Sequence, residues 1–195
     1  MDGIALQERN RLGALLEASS QAEVMAKIPQ FSQAETGSFA PAPEGVPQAL
    51  GVLMFNMERG VHLAEIADFL RDCPQIQPFD LILANELDDG CFRSGNRNTA
   101  RELAASFGLN YAWGLEFIEL AEARDEKGFH GNAVFSRWPI RRAGVIRLPE
   151  QYNWYFDRQR RIGGRLAVYA ELDVGGKPLG AVSIHLENRT HGEGR

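Results

Sequence analysis

Apolar positions divide the chain into a helical first part and a strand-rich second part. Residues 3–27 have helical spacing with Leu12, Leu15 and Leu16 on one face, and Ser20 and Glu23 have the spacing of a capping box, which predicts a break near Ser19. Residues 28–49 hold four prolines among small and polar residues, which predicts a linker or a tail wrapped on the surface.

From residue 50 onward the pattern predicts one domain that contains both helices and strands. Residues 50–57 and 80–86 have the apolar runs of strands. Apolar residues at helical spacing predict a helix after residue 62, which Pro74 stops. They predict a second helix over residues 98–107, which Gly108 follows. The later segments have strand character: 109–119, 131–136, 141–148, 163–174 and 177–186. Gly175-Gly176 predicts a hairpin turn between the last two strands. The expected domains are therefore a helical segment, 1–27, a Pro-rich linker, 28–49, and a mixed sheet with helices on its outer face, 50–195.

Composition is that of an ordinary globular chain. The 195 residues, 44% of them apolar, can form one domain with a sizeable core. No apolar run is long enough to span a bilayer, and the N-terminus lacks the pattern of a secretory signal. Cys73 and Cys91 form neither a disulfide framework nor a ligand motif. A reduced, cytoplasmic location is the expectation.

Charge is unevenly distributed. The whole chain carries a formal net charge of -5, yet residues 137–165 hold eight arginines against Glu150 and Asp157, giving +6 there and therefore -11 elsewhere. A local basic field on an acidic body suits an anionic substrate better than a general DNA coat. The alternative is that these arginines form a solvated loop or pair with carboxylates elsewhere.

Three apolar strands each end in a polar side chain that could serve one site. Asn56 ends L-M-F-N, Glu86 ends D-L-I-L-A-N-E, and His185 follows V-S-I. A carboxylate at the end of a buried strand needs a cation or hydrogen-bond donors, and Mg²⁺ is commonly held by one or two carboxylates with waters. Glu86 could instead pair with Arg59 or Arg97. Asn56 could close a turn, and His185 could be a structural residue.

Asn132, Arg97 and the pair Gly163-Gly164 are further candidates for the site. In H-G-N-A-V-F-S-R-W-P, a turn is expected to feed a strand, with Asn132 reaching inward either to bind phosphate or to cap the loop. Arg97 could contact substrate or form an ion pair at the start of a helix. Gly163-Gly164 permits close approach of backbone or ligand, or marks a bulge.

Taken together, four motifs resemble the endonuclease/exonuclease/phosphatase superfamily, whose members include pancreatic-type deoxyribonucleases, neutral sphingomyelinases and inositol polyphosphate phosphatases. They are L-M-F-N-M-E-R-G, D-L-I-L-A-N-E-L-D, H-G-N-A-V-F-S-R and V-S-I-H-L-E-N, in the order that the family has them. The resemblance covers roughly residues 50–195. It implies an α+β fold of two packed mixed β-sheets flanked by helices, a four-layer α/β/β/α sandwich that is incomplete at the C-terminus of this chain.

The resemblance also implies roles for individual residues. Glu86 would be the principal metal ligand and Asn56 its polar neighbour, binding Mg²⁺ or Mn²⁺. His185 would bind the scissile phosphate, and Asn132 would lie beside the site. Arg97 is a further candidate for phosphate binding. The family's later motifs, G-D-x-N and a terminal Asp-His pair that act on the nucleophilic water, do not appear before Arg195.

The leading hypothesis is a divalent-metal-dependent phosphoesterase of a nucleic acid, phospholipid or phosphoinositide, inactive or weak as this chain. A complementing C-terminal chain is a possible partner on this hypothesis. The alternative is a non-catalytic module that binds an anionic partner through residues 137–165, with Trp138, Trp154 and Tyr155 as docking side chains. A third possibility is a fragment that does not fold stably.

Overall fold

A computed structural model describes residues 1–189 of the chain. Its α-helices are short and lie in the first 107 residues: α1, Leu6–Ala14; α2, Gln21–Met25; α3, Leu63–Asp72; and α4, Thr99–Phe107. Its strands are β1, Ala34–Gly37; β2, Val52–Arg59; β3, Leu81–Asp89; β4, Asn110–Glu119; β5, Phe129–Ser136; β6, Ile140–Arg147; β7, Arg161–Gly163; β8, Leu166–Val174; and β9, Lys177–Ile184. Single 3₁₀ turns occur at Leu15–Glu17, Pro29–Ser32, Phe92–Ser94 and Trp154–Phe156.

Two β-sheets pack face to face. Within residues 1–189 the larger sheet has the order β1-β4-β5-β3-β2, with β7 also paired to β4, and the smaller has the order β6-β8-β9. The larger sheet is mixed, because β2 and β3 are parallel and the other pairs are antiparallel, whereas the smaller sheet is antiparallel throughout. The predicted fold class, two packed sheets flanked by helices, is confirmed.

The core has two layers, one on each face of the larger sheet. Leu166, Val168, Ala170 and Leu172 of β8 alternate inward and bury the smaller sheet against the larger one. Side chains of α1–α4 cover the opposite face of the larger sheet. Because both its faces are covered, β4 is buried along its whole length. No α-helix among residues 1–189 joins the smaller sheet's cluster, and outward-facing Ile146 and Val182 are exposed.

Local signals explain where several elements begin and end. The Asn98 side chain accepts a hydrogen bond from the Arg101 N–H at the start of α4, and Gly108 ends that helix at a φ of 59°. Ser20 and Glu23 form the predicted capping box of α2. The β8–β9 hairpin turns at Gly175 and Gly176, both with positive φ, as the predicted turn type requires.

The N-terminal residues pack on the same core as the rest of the chain. Residues 28–49, expected to be a linker or a surface tail, contain β1, which extends the larger sheet by pairing with β4, and Phe31, which is buried. The sequence of β1, A-E-T-G, has no alternation of apolar and polar residues. Because β1 is an edge strand that its backbone pairing holds in the sheet, it does not need such a pattern. The buried Arg9 guanidinium donates to the carbonyls of Asp125 and Lys127, at 2.7 and 3.0 Å, and fixes α1. The division into domains at residues 27 and 49 stays a prediction.

Two strand predictions need correction. Residues 163–174 were expected to form one strand, but the chain leaves the larger sheet after Gly163 and enters the smaller one at Leu166. A turn was expected to feed the strand predicted at 131–136, with Asn132 reaching inward from that turn, but β5 already begins at Phe129 and holds Asn132 within the sheet between β3 and β4. No helix among the described residues is both long and apolar enough to cross a membrane.

Candidate active site

Asn56, Glu86 and His185 meet at one end of the two sheets, as the strand pattern predicts. Because β2 and β3 are parallel neighbours, Asn56 and Glu86 leave the larger sheet at the same edge, and the Asn56 side chain hydrogen-bonds the Glu86 carboxylate. His185 follows β9 of the smaller sheet, and its Nε2 lies 4.0 Å from Glu86 Oε1. The structure therefore brings these three predicted residues together.

The backbone is strained where Asn56 and Glu86 lie. The registers of both strands shift there, and Glu58, Arg59 and Glu86 have φ values of 46°, 66° and 59°. Left-handed conformations at residues other than Gly cost about 1–3 kcal/mol each and are concentrated at functional sites. The Asn132 side chain holds the bulge in β3, since its Oδ1 accepts the Glu86 N–H at 3.2 Å. Asn85 faces the smaller sheet, where it accepts a hydrogen bond from Ser183, as strand alternation predicts.

Glu86 remains ionised although no Lys or Arg of residues 1–189 forms an ion pair with it. Burial acts to raise the pKa of this half-buried carboxyl, but the Asn56 hydrogen bond and the neighbouring histidines and Arg59 together lower it. Within residues 1–189 neither Arg59 nor Arg97 forms the ion pair with Glu86 that was the alternative to metal binding. The carboxylate is thus charged and open to a further cation.

The contacts of His185 determine its protonation. Arg165 can only donate, and its Nη1 lies 3.1 Å from His185 Nδ1, so the proton of the neutral ring is on Nε2. Burial lowers the pKa of His185, although the nearby Glu116 carboxylate acts to raise it. The neutral ring therefore directs an N–H donor toward the Glu86 side of the site.

Glu116, which the sequence analysis did not identify, lies behind His185. It is fully buried in β4, and its Oε1 accepts a hydrogen bond from Arg165 at 3.3 Å. Its Oε2 has no hydrogen-bond partner among residues 1–189 and lies 3.9 Å from both His185 Nδ1 and His130 Nε2. The available signal was a glutamate inside the apolar run Y-A-W-G-L-E-F-I, where burial requires a charged partner.

A buried ion pair supports the site from the side of β3. Asp88 accepts hydrogen bonds from Arg93 Nε at 2.7 Å and shares one with His130 Nδ1 at 2.8 Å. Burial acts to raise the pKa of Asp88, but these two partners outweigh it and lower the pKa to about 2. His130 thereby links Asp88 to Glu116, on the neighbouring strand β4.

A cavity of about 210 Å³ opens beside Glu86. It is lined by Arg59, Glu86, His130, Trp154, Asp157, Gln159, Arg161, Arg165, Asn188 and Arg189. Three of its arginines lie 5.2–5.7 Å from the centre of the Trp154 ring and are held by carboxylates, Arg161 by Glu119, Arg165 by Glu116 and Arg189 by Asp157. Arg59 has no ion pair within residues 1–189. The excess of cations suits an anionic ligand.

Two predicted site residues take other positions. Asn132 is fully buried and does not line the cavity, so it can act on the site only by positioning Glu86. Arg97 lies on the surface near the start of α4, paired with Glu102, and also does not line the cavity. The structure does not bring Arg97 together with Glu86 and His185.

Residues 137–165 do not form one basic surface. Five of the eight arginines form ion pairs with carboxylates: Arg137 with Asp80, Arg141 with Asp173, Arg142 with Glu171, Arg161 with Glu119 and Arg165 with Glu116. The aromatic side chains expected to dock a partner, Trp138, Trp154 and Tyr155, are 3%, 6% and 8% exposed. Their large apolar rings are packed instead into the protein core or against arginines.

The donor set fits a magnesium ion that keeps most of its waters. Within residues 1–189 no three His, Cys, Asp or Glu side chains gather as metal ligands. Mg²⁺ needs only one or two carboxylates, and Glu86 provides one. Asn56 Oδ1 accepts the Glu58 N–H at 2.9 Å, which makes the predicted turn, and a carbonyl oxygen has a second lone pair to offer.

Comparison with known proteins finds similar chains among the solved structures. No protein-family model matches the chain, and the curated proteins give no match. The chain is similar to an endonuclease/exonuclease/phosphatase family protein from Leptotrichia buccalis C-1013-b, with 17% identity over 71% of this chain and 55% of that chain and a TM-score of 0.44. It is also similar to SmcL, with 13% identity over 71% of this chain and 48% of that chain and a TM-score of 0.42. The chain thus spans about half the length of both.

Proposed function

We propose that the chain is part of a divalent-metal-dependent phosphoesterase that hydrolyses phosphodiesters or phosphomonoesters. The observation that carries this proposal is a charged Glu86 carboxylate without a full ion pair, placed between a histidine N–H donor and a cationic cavity. A carboxylate there suits a metal ion, and the histidine and the arginines suit a phosphate. The resemblance of the four motifs to the superfamily agrees with this reading.

Each side chain has a proposed task. Glu86 and Asn56 hold Mg²⁺ or Mn²⁺, which when bound would act as a Lewis acid on a phosphate oxygen. His185 donates its Nε2–H to a non-bridging oxygen and stabilises the charge that develops there. Arg165, which can only donate to His185 Nδ1, holds the ring in the required tautomer. Arg59, which has no ion pair in the described part of the chain, binds the phosphate as a second cation.

Activation of the attacking water is not accounted for by residues 1–189. The chain spans about half the length of the two similar structures, and hydrolysis also requires a positioned nucleophile. We therefore assign this task to residues of a longer product or of a complementing chain. Nucleic acid, phospholipid and phosphoinositide remain alternative substrates, because one fold serves many of them.

The test is Mg²⁺-dependent hydrolysis of bis-p-nitrophenyl phosphate by the longest product that the reading frame encodes. Glu86→Gln should lower kcat by about 100-fold or more, because the amide cannot replace the charge that holds the metal. Glu65→Gln, at an exposed position of α3, is the matched control and should behave like the wild type. Full activity of Glu86→Gln would rule the proposal out.

A further inference from the structure

A second cavity, of about 400 Å³, lies between α2, the 3₁₀ turn at Pro29–Ser32 and the end of β6. Its wall is largely apolar and includes Met25, Ile28, Phe31, Leu148 and Pro149. It shares no lining residue with the cavity beside Glu86. Its volume is within the range of small-molecule sites, about 300–1,000 Å³.

One charged group, the Arg147 guanidinium, forms part of the inner wall of this cavity. Its hydrogen bonds all end on backbone carbonyls. Nε donates to Phe31 O at 2.9 Å, Nη1 to Gly164 O at 3.2 Å, and Nη2 to both Phe31 O and Leu115 O. In residues 1–189 no Asp or Glu forms an ion pair with it. A guanidinium has five N–H donors, so one N–H of Nη1 is left without a protein acceptor in that range.

The surroundings make this cation costly to bury. Desolvation lowers the pKa of Arg147 to about 10, with only a Coulombic contribution from Glu116 opposing it. The Phe31 ring, whose centre lies 4.8 Å from the guanidinium carbon, offers partial compensation. Arg147 is half-buried, and a partly desolvated charge without a counter-ion gains more from an arriving anion than a fully solvated one does, because part of the desolvation cost has already been met.

We propose that this cavity binds a single-chain amphiphile with a carboxylate head, the head at Arg147 and the apolar chain along Met25, Ile28 and Phe31. A monoanion matches the single positive charge, whereas a phosphomonoester dianion would leave one negative charge uncompensated in an apolar wall. Glu150, the one acidic residue of the lining, is exposed to solvent.

The test uses isothermal titration calorimetry with decanoate below its micelle concentration. Decanoate should bind one per chain, whereas decanol, which has the same carbon number but no charge, should bind at least about tenfold more weakly. Arg147→Met should reduce decanoate affinity to that of decanol. Decyl phosphate tests the preference for a monoanion and should bind more weakly than decanoate.

A second pair of variants keeps the test valid if Arg147→Met does not fold. Ala26→Trp places a ring at an exposed position that lines the cavity and should reduce decanoate affinity by about tenfold or more. Ala64→Trp makes the same change at an exposed position of α3 away from the cavity and should leave it unchanged. The proposal would be overturned if decanoate did not bind, or if decanol bound as tightly as decanoate. It would also be overturned if Ala26→Trp bound decanoate with unchanged affinity, or if the protein were a dimer that Ala26→Trp dissociates.

Discussion

At the scale of single residues, the sequence identified the ends of the strands and missed the residues behind them. Asn56, Glu86 and His185 could be predicted because each interrupts an apolar run at the carboxyl end of a strand. The pairing of Glu116 with Arg165 could not, because it joins β4 to the start of β8 across the gap between the sheets, although a glutamate inside an apolar run was a signal for Glu116 itself. The left-handed backbone of Glu86 left no signal either, since nothing in its local sequence marks the bulge.

Glu116 should control the protonation of His185. Its carboxylate favours the charged ring, so Glu116→Gln should lower the pKa of His185 further below its ordinary value. An NMR titration of the His185 ring protons measures this change directly. Glu102→Gln removes a carboxylate on the surface of α4 and should leave the titration unaltered. A higher pKa of His185 in Glu116→Gln would show that Glu116 does not act through its charge.

Asp88 should make the fold sensitive to acid. Its folded pKa of about 2 lies below the ordinary value, so the unfolded chain binds more protons between pH 4 and 2. Its stabilisation is therefore present above this window and is lost as pH falls through it. Asp88→Asn, which removes one of the two carboxylates that pair with Arg93 and leaves only Glu119, should lower the free energy of unfolding by about 3 kcal/mol at pH 7.

Urea unfolding of Asp88→Asn and the wild type at pH 7 and pH 2.5 checks this prediction. The difference between the two proteins should shrink at the lower pH, where the wild-type carboxyl begins to lose its charge. Asp68→Asn, an exposed change in α3, provides the control. A difference that stays constant with pH would mean that Asp88 stabilises the fold through packing rather than charge.

At the scale of elements, the predictions were right where glycine residues mark the end of a helix or a turn. α4 was predicted from its apolar face and Gly108, and the β8–β9 hairpin from its two glycines. The break between β7 and β8 was not predicted, because Gly163-Gly164 is also compatible with a bulge in one strand and does not show that the chain changes sheets there. β1 was missed because an edge strand held by its backbone needs no apolar pattern.

Gly163 should be essential for this change of sheet, and its neighbour should not. A Cβ at residue 163, where φ is 129°, would lie 2.2 Å from the Glu116 carbonyl oxygen, whereas one at residue 164 meets nothing within 4 Å. Gly163→Ala should therefore destabilise the fold by about 2 kcal/mol or more, and Gly164→Ala by much less. Thermal unfolding of both variants measures the contrast, and equal stability would contradict the close approach.

At the scale of the whole molecule, the sequence predicted two packed sheets with flanking helices but left open whether the arginines of residues 137–165 form one basic field or pair with carboxylates elsewhere. The structure supports the second alternative, because five of the eight arginines are paired with carboxylates. A count of charges along the chain cannot show such pairing, because the partners come from β3, β4 and β8 or from the loops that precede them. The site at the sheet ends emerges only when both sheets are assembled.

We propose that Glu86 and Asn56 hold a divalent cation beside His185. Titration of the protein with Mn²⁺, followed by NMR, tests it most directly, because the paramagnetic ion broadens signals of nearby protons. We expect one saturable Mn²⁺ site that broadens the His185 ring signals in the wild type and in Glu65→Gln, and loss of that site in Glu86→Gln. Unchanged Mn²⁺ affinity in Glu86→Gln, or saturation without broadening at His185, would contradict the account.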